Sequence, residues 1–358
     1  MSAATEVSLL SVLSRTDRSA QPDLSPPPRF LHTDFTGYRP AHPSQALALQ
    51  QLQSLTAGLR EQPARRGLLG LLQRRPDEGR GLYLDGGFGV GKTHLLAATF
   101  HAAEVEAKAY LSFQELVHQV GVSGISQAAA DFAGLRLLCL DEFELDDPGN
   151  TLIVKKVLEA LFAQGTTVVT TSNTPASAQG EGRFNAADFR REIQGIADRF
   201  DTIRLDGPDW RARQHAGQSP RLHAQLPLTR ATPAPVVTAS QAELFEVLRE
   251  LHPAHYGSLL SNVGTLVVTG LDTIGNQNDA LRFVHFVDRL YDRSLTLHLS
   301  VSEAVAEQPR ALFHPSYRDG AYQKKHDRCI SRLLELASEA VPPLPPHQHQ
   351  AEELVSAD

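Results

Sequence analysis

Eight residues, Gly86-Gly-Phe-Gly-Val-Gly-Lys-Thr93, constrain this chain more tightly than any other segment. They match G-x-x-x-x-G-K-[ST], with Gly86, Gly91, Lys92 and Thr93 in the fixed places. Glycines let backbone N–H groups curl around phosphate oxygens, where a Cβ would collide. Lys92 brings a point charge to the β- and γ-phosphates, and the Thr93 hydroxyl is a Mg²⁺ ligand. A helix starting here adds the positive end of its dipole. The flanks agree. Gly81-Leu-Tyr-Leu-Asp85 reads as a short buried strand, and His94-Leu-Leu-Ala-Ala-Thr-Phe100 carries helix formers with an apolar face. Strand, glycine loop and helix are the setting the motif requires. The predicted nucleotide cradle is Gly86, Gly87, Phe88, Gly89, Val90, Gly91, Lys92, Thr93 and His94, and its ligands are ATP and Mg²⁺.

About 50 residues further on stands Leu135-Arg-Leu-Leu-Cys-Leu-Asp-Glu142. Leu137 to Leu140 are apolar throughout, as in a central parallel strand. Asp141 then emerges at the carboxyl end, where open α/β sheets bind ligands. There it helps Thr93 hold the Mg²⁺ shell, usually through water. Glu142 is suited to polarise the attacking water as general base. An Asp-Glu pair alone says little, and its spacing from the loop gives it weight. The base-reading Asn-Lys-x-Asp of a small signalling GTPase is absent. Thr166-Thr-Val-Val-Thr-Thr-Ser-Asn173 is a third strand, β-branched and ending in a polar residue shortly before Pro175.

From Gly81 strands and helices alternate, which implies a parallel sheet covered on both faces. The expected fold class is α/β: a P-loop NTPase sheet with helices on both faces, plus a smaller C-terminal α/β domain resembling a lid. The 358 residues have room for both. The Ser-, Ala- and Pro-rich stretch 1–29 reads as a disordered tail, and 30–214 as the ATPase core. Residues 215–240 read as a linker, 241–340 as the second domain, and 341–358 as a disordered tail. A net charge of −7 argues against broad, nonspecific nucleic-acid binding. Cys139 and Cys329 read as core hydrophobes in a reducing compartment, and the fifteen histidines show no zinc spacing. No apolar run reaches membrane-spanning length and no signal-peptide core is visible, so a cytoplasmic location is expected.

With these segments in place, the chain resembles the ZapE-type cell-division ATPases, bacterial relatives of the mitochondrial Afg-like AAA+ ATPases. The resemblance runs from about Phe35 to Ser338. It rests on Tyr38-Arg-Pro and Pro43-Ser-Gln, the phosphate loop, Asp141-Glu-Phe-Glu-Leu-Asp-Asp147 and Thr171-Ser-Asn173. Its most discriminating marks are Arg282-Phe-Val, Val287-Asp-Arg-Leu-Tyr-Asp292 and Arg328-Cys-Ile-Ser-Arg-Leu-Leu-Glu335. The resemblance implies an AAA+ ATPase that remodels a protein client, a division-ring component in bacteria. Members are cytoplasmic or peripheral to the inner membrane. It also implies an ATP-dependent homo-oligomer, because an arginine of one AAA+ subunit completes its neighbour's site.

In AAA+ ATPases a polar residue at the third strand's end touches the γ-phosphate or the attacking water. Asn173 fits that role; an Asn that merely opens the turn is the other reading. The segment Gly182-Arg-Phe-Asn-Ala-Ala-Asp-Phe-Arg-Arg-Glu-Ile193 departs from the family pattern. The family places an Arg three residues before Phe-x-Pro, and here Ala186 and Arg191 stand in those two places. Arg183 is the nearest candidate for the inter-subunit arginine, with Arg190 and Arg191 behind it. Arg328 and Arg332, one helical turn apart, either reach the γ-phosphate from the second domain or form a surface stripe. A helicase-loader-type, nucleic-acid-associated switch shares the same core, but the acidic balance lends it little. A nucleotide-gated scaffold with little turnover is a third reading, opposed by the intact Asp141, Glu142 and Asn173.

Overall fold

Short leucine-rich and β-branched runs, each closed by a glycine or a polar residue, assemble into two parallel sheets. The computed structural model describes residues 6–16, 23–61, 79–145, 148–176, 179, 187–208, 235–320 and 322–339. In chain order come β1 (Glu6–Ser8), α1 (Leu9–Leu13), α2 (Pro43–Glu61), β2 (Gly81–Gly86), α3 (Lys92–Ala102), β3 (Lys108–Ser112) and α4 (Phe113–Ser123). Next are α5 (Ile125–Asp131), β4 (Leu137–Asp141), α6 (Pro148–Ala163), β5 (Thr167–Ser172), α7 (Ala187–Ala197) and β6 (Phe200–Leu205). Then follow β7 (Val236–Ser240), α8 (Gln241–Glu250), α9 (Tyr256–Leu259), β8 (Thr265–Leu271), α10 (Gln277–Asp292) and β9 (Thr296–Val301). The last are α11 (Glu303–Glu307), α12 (Pro315–Arg318) and α13 (Gln323–Glu339).

The first sheet has the order β3-β4-β5-β2-β6, every pair parallel. Alternation along each strand sends neighbouring side chains to opposite faces. Leu84, Cys139 and Val169 pack beneath α2 and α3, while Tyr83, Leu138 and Val168 pack against α4, α6 and α7. Both faces are therefore covered, as the apolar strands require. The order matters for chemistry. β5 lies between β2 and β4, so the carboxyl ends of these three strands stand side by side. With strands about 4.8 Å apart, the phosphate loop and the carboxylate strand end are about 10 Å from each other.

The second sheet, β1-β7-β8-β9, is also parallel. Here the expected boundaries shift. Glu6–Ser8, placed in a disordered tail, pairs with Val236 to Thr238, and the helix behind it buries Leu9 and Leu13 in the second core. Val236–Ser240, placed in a linker, is the strand it pairs with. Val236 and Val237 are buried there beside β8, which exceeds what their flanking prolines suggest. A capping box, Ser112 with Glu115, starts α4, and a second, Ser240 with Glu243, starts α8. The two sheets meet through α10 and α13. Arg289 of α10 reaches the first box, at 2.8 Å from Ser112 Oγ and 3.2 Å from Glu115.

Candidate active site

The loop forms where β2 turns into α3. Gly91, in the left-handed region at φ +89°, precedes the helix, and a Cβ there would come within 2.5 Å of the Tyr38 ring. A Cβ at Gly86 would sit 2.4 Å from the Leu205 carbonyl. Both positions demand glycine, because the loop passes too close to Tyr38 and Leu205 for a side chain. Lys92 is buried and folds back over the loop. Its Nζ donates to the carbonyls of Gly86 (2.7 Å) and Gly87 (2.6 Å) and to Asn173 Oδ1 (2.8 Å). These neutral acceptors hold the ammonium where phosphate oxygens would replace them. A segment from further upstream braces the loop. The Tyr38 hydroxyl donates to Val90 O at 2.8 Å, and His94 Nε2 donates to Asp34 O at 3.0 Å. Burial pushes the Tyr38 hydroxyl up to about 12.

Asp141 ends β4 with its carboxylate fully engaged. Thr93 Oγ1 donates to Oδ1 at 3.3 Å, the Thr171 hydroxyl also donates to Oδ1, and the Tyr110 hydroxyl donates to Oδ2 at 3.1 Å. Burial, and after it the neighbouring Glu142 charge, push the Asp141 carboxyl above its usual range; the bonds from Thr171 and Tyr110 oppose them. A hydroxyl and a buried carboxylate facing the loop are hard oxygen donors of the kind Mg²⁺ takes, so the residues present fit that ion.

Glu142 takes the left-handed conformation, φ +55°, which costs a non-glycine residue about 1–3 kcal/mol. Its N–H is anchored on both sides, donating to Asp141 Oδ1 (3.1 Å) and Thr171 Oγ1 (3.0 Å). The strained turn aims the side chain away from β4 and toward α13. There Arg332 Nη2 meets Oε1 at 2.8 Å and Arg328 Nη2 lies 3.5 Å from Oε2. Burial by itself would raise the Glu142 carboxyl; the Arg328 and Arg332 charges outweigh it and hold the group well below the usual carboxylate range.

These groups line one cavity of about 490 Å³, with Arg29, Phe30 and Tyr38 on one wall and Tyr291, Arg328 and Arg332 on another. That volume suits a nucleotide. The structure brings together the predicted Lys92, Thr93, Asp141, Glu142 and Asn173, and His94 stands at the rim. Arg183 lies outside the described residues. Arg191 lies on α7 and is exposed. Arg328 and Arg332 do not form a surface stripe: they are 4% and 5% exposed, turned inward on Glu142 and Asp288. Sequence reasoning missed Tyr110, Thr171 and Asp288. The signals were slight: one polar-tipped ring in the apolar run Ala109-Tyr-Leu111, one hydroxyl among several in β5, and one acid within an apolar helix face.

Residues 34–232 and 223–342 match the AFG1-like ATPase family. Cell division protein ZapE of Escherichia coli K12 is 29% identical over 303 residues, covering 73% of this chain and 78% of that protein. Lactation elevated protein 1 homolog B of Danio rerio is 27% identical over 162 residues, covering 39% of this chain and 32% of that one. Among solved structures, DnaI superposes with a TM-score of 0.40 at 18% identity, over 51% of this chain and 93% of that one.

Proposed function

The chain belongs to the AFG1-like ATPase family, and from that premise we propose that its ATP hydrolysis is Mg²⁺-dependent and remodels a protein partner, a component of the cell-division ring. The observation that carries the hydrolytic reading is the convergence of Lys92, Asn173, Asp141 and Glu142 on one cavity at three adjacent strand ends. The loop amides and Lys92 bind the β- and γ-phosphates. Asn173, 2.8 Å from Lys92 Nζ, is the contact that registers the γ-phosphate. Thr93 and Asp141 would hold Mg²⁺, which neutralises phosphate charge. Glu142 takes a proton from the attacking water. Arg183 is the arginine offered to a neighbouring copy in an ATP-dependent homo-oligomer.

The name of the Escherichia coli relative, a cell division protein, supports a client in cell division. The two sheets, each with its own core, support a division into ATPase and lid-like units. Among the described residues no helix is long and apolar enough to cross a membrane. We place the protein in the cytoplasm, or peripherally at the inner membrane. The test is ATPase of the full chain with and without polymerised tubulin-like division protein, and with DNA as the control. Stimulation by the polymer is expected. Lys92→Ala should lose nucleotide binding, because neutral amides replace a buried cation poorly. Glu142→Gln should bind ATP and hydrolyse it on the order of 10²-fold more slowly. Unchanged ATP affinity in Lys92→Ala would overturn the site; stimulation by DNA alone would overturn the partner.

A further inference from the structure

The phosphate loop, the Asp-Glu pair and Asn173 stand at the ends of three neighbouring strands, and the sheet ladder stops short of them. The β4–β5 register ends at Leu140 and Thr170, and the β2–β5 register at Asp85 and Ser172. One further main-chain bond, from Phe143 N–H to Thr171 O at 2.8 Å, follows. Glu142 and Asn173 lie beyond both register ends, where the polar groups of the chain need partners outside the ladder.

One buried side chain spans the gap. Gln179, 5% exposed, comes from the segment after β5. Its Oε1 accepts the Leu145 N–H at 2.9 Å. Its Nε2 has two hydrogens to share among Tyr83 Oη at 2.7 Å, Ser172 Oγ at 2.9 Å and Phe143 O at 3.0 Å. The Tyr83 hydroxyl donates onward to Thr174 O at 2.6 Å, and Ser172 Oγ accepts the Thr174 N–H at 3.1 Å. Tyr83 and Ser172 are themselves buried. These contacts fall one residue after Glu142 and on both sides of Asn173. They join β2, β4 and β5, whose ends carry the phosphate loop, the Asp-Glu pair and Asn173.

We propose that Gln179 is a positioning residue for ATP hydrolysis: it locks the turn after Glu142 to the turn that carries Asn173, so that both groups face one bound nucleotide together. The phosphate loop has other supports, the Tyr38 hydroxyl on Val90 O and the pairing of β2 with β6. Loss of Gln179 should therefore fall on turnover and spare nucleotide binding. This role rests on Glu142 and Asn173 acting in hydrolysis.

Two substitutions in the full chain test it, with steady-state ATPase for kcat and calorimetry with ADP and Mg²⁺ for binding. Gln179→Met keeps the length and loses the hydrogen bonds. Its kcat should fall about tenfold or more, because misplacement by about 1 Å costs on the order of 10²-fold, while ADP affinity stays at the wild-type value. Gln179→Glu carries its own control in pH. As a neutral acid it still accepts the Leu145 N–H and donates once; as a carboxylate it donates nothing and leaves Phe143 O unpaired. Burial raises the pH at which it ionises, so its kcat relative to wild type should fall between about pH 6 and about pH 9. The same ratio for Gln179→Met should stay level. A wild-type kcat in Gln179→Met, ADP affinity lost together with kcat, or a ratio independent of pH in Gln179→Glu would each overturn the proposal. Glu142→Gln, assayed alongside, separates the two levels. If it turns over ATP at the wild-type rate, the hydrolytic reading fails; if it is slow while Gln179→Met is not, the positioning role alone fails.

Discussion

Thr171→Val tests whether one hydroxyl holds both Asp141 and Glu142 in place. Thr171 is 2% exposed. Its hydroxyl donates to Asp141 Oδ1 and accepts the Glu142 N–H at 3.0 Å. Valine has the same shape and suits a strand, so the change removes the hydroxyl and little else. A hydrogen bond to a charged group contributes about 1.5–3 kcal/mol, and the Glu142 N–H keeps Asp141 Oδ1 at 3.1 Å as a second acceptor. Counting about 1 kcal/mol for the weakened N–H bond, the loss should be about 2.5–4 kcal/mol. Glu142, at φ +55°, would also lose one of the two anchors that hold its strained turn. A misplacement of that kind costs on the order of 10²-fold in kcat. Urea unfolding followed by circular dichroism reads the first effect and steady-state ATPase the second. Thr171→Ser keeps the hydroxyl and should stay close to wild type in both. A stability loss below about 1 kcal/mol in Thr171→Val, or a serine variant that behaves like the valine one, would refute the reasoning.

Acid sensitivity should trace in part to His285. Burial, with the charges of Lys325 and Arg328 outweighing Asp288 and Glu142, brings its folded-state value from 6.5 down to about 4. A depressed histidine stabilises above its unfolded value and loses that contribution as pH falls from 6.5 toward 4, because the unfolded chain binds the proton first. Between pH 7 and pH 5 the loss should be about 1–2 kcal/mol, and His285→Gln should show a correspondingly smaller shift in urea midpoint between those pH values. Arg183→Ala should bind ATP normally and hydrolyse it poorly, by about 10³-fold if it acts as an inter-subunit finger. Mixing it with Glu142→Gln should then recover some activity; no recovery in any mixture would place the arginine within the same subunit.

The chemistry of this protein was legible because its motifs are local. A phosphate loop needs glycine at particular positions and a lysine and threonine behind them, and each requirement falls within eight consecutive residues. Apolar strand followed by Asp-Glu, and a β-branched strand followed by Asn173, marked in the same local way the residues that meet Lys92 and Thr93 in the cavity. The alternation of strands and helices likewise gave the first parallel sheet, with packing on both its faces, and a further α/β unit after it.

Where the sequence fell short, the determinants lie far apart in the chain. Glu6–Ser8 becomes a strand only because β7, some 230 residues later, offers an open edge to pair with. A three-residue run carries no periodicity from which to expect it. Thr171 and Tyr110 looked like ordinary strand residues until the order β3-β4-β5 put them on either side of Asp141. Arg328 and Arg332 could be read as a surface stripe, since a helical spacing fixes which residues share a face but not what that face meets. The packing of α13 against α10 decided that, by bringing the buried Asp288 to one side of the arginines and Glu142 to the other. Local stereochemistry and residue type marked the phosphate loop and the carboxylates near it; the long-range packing of charges decided which groups meet Glu142.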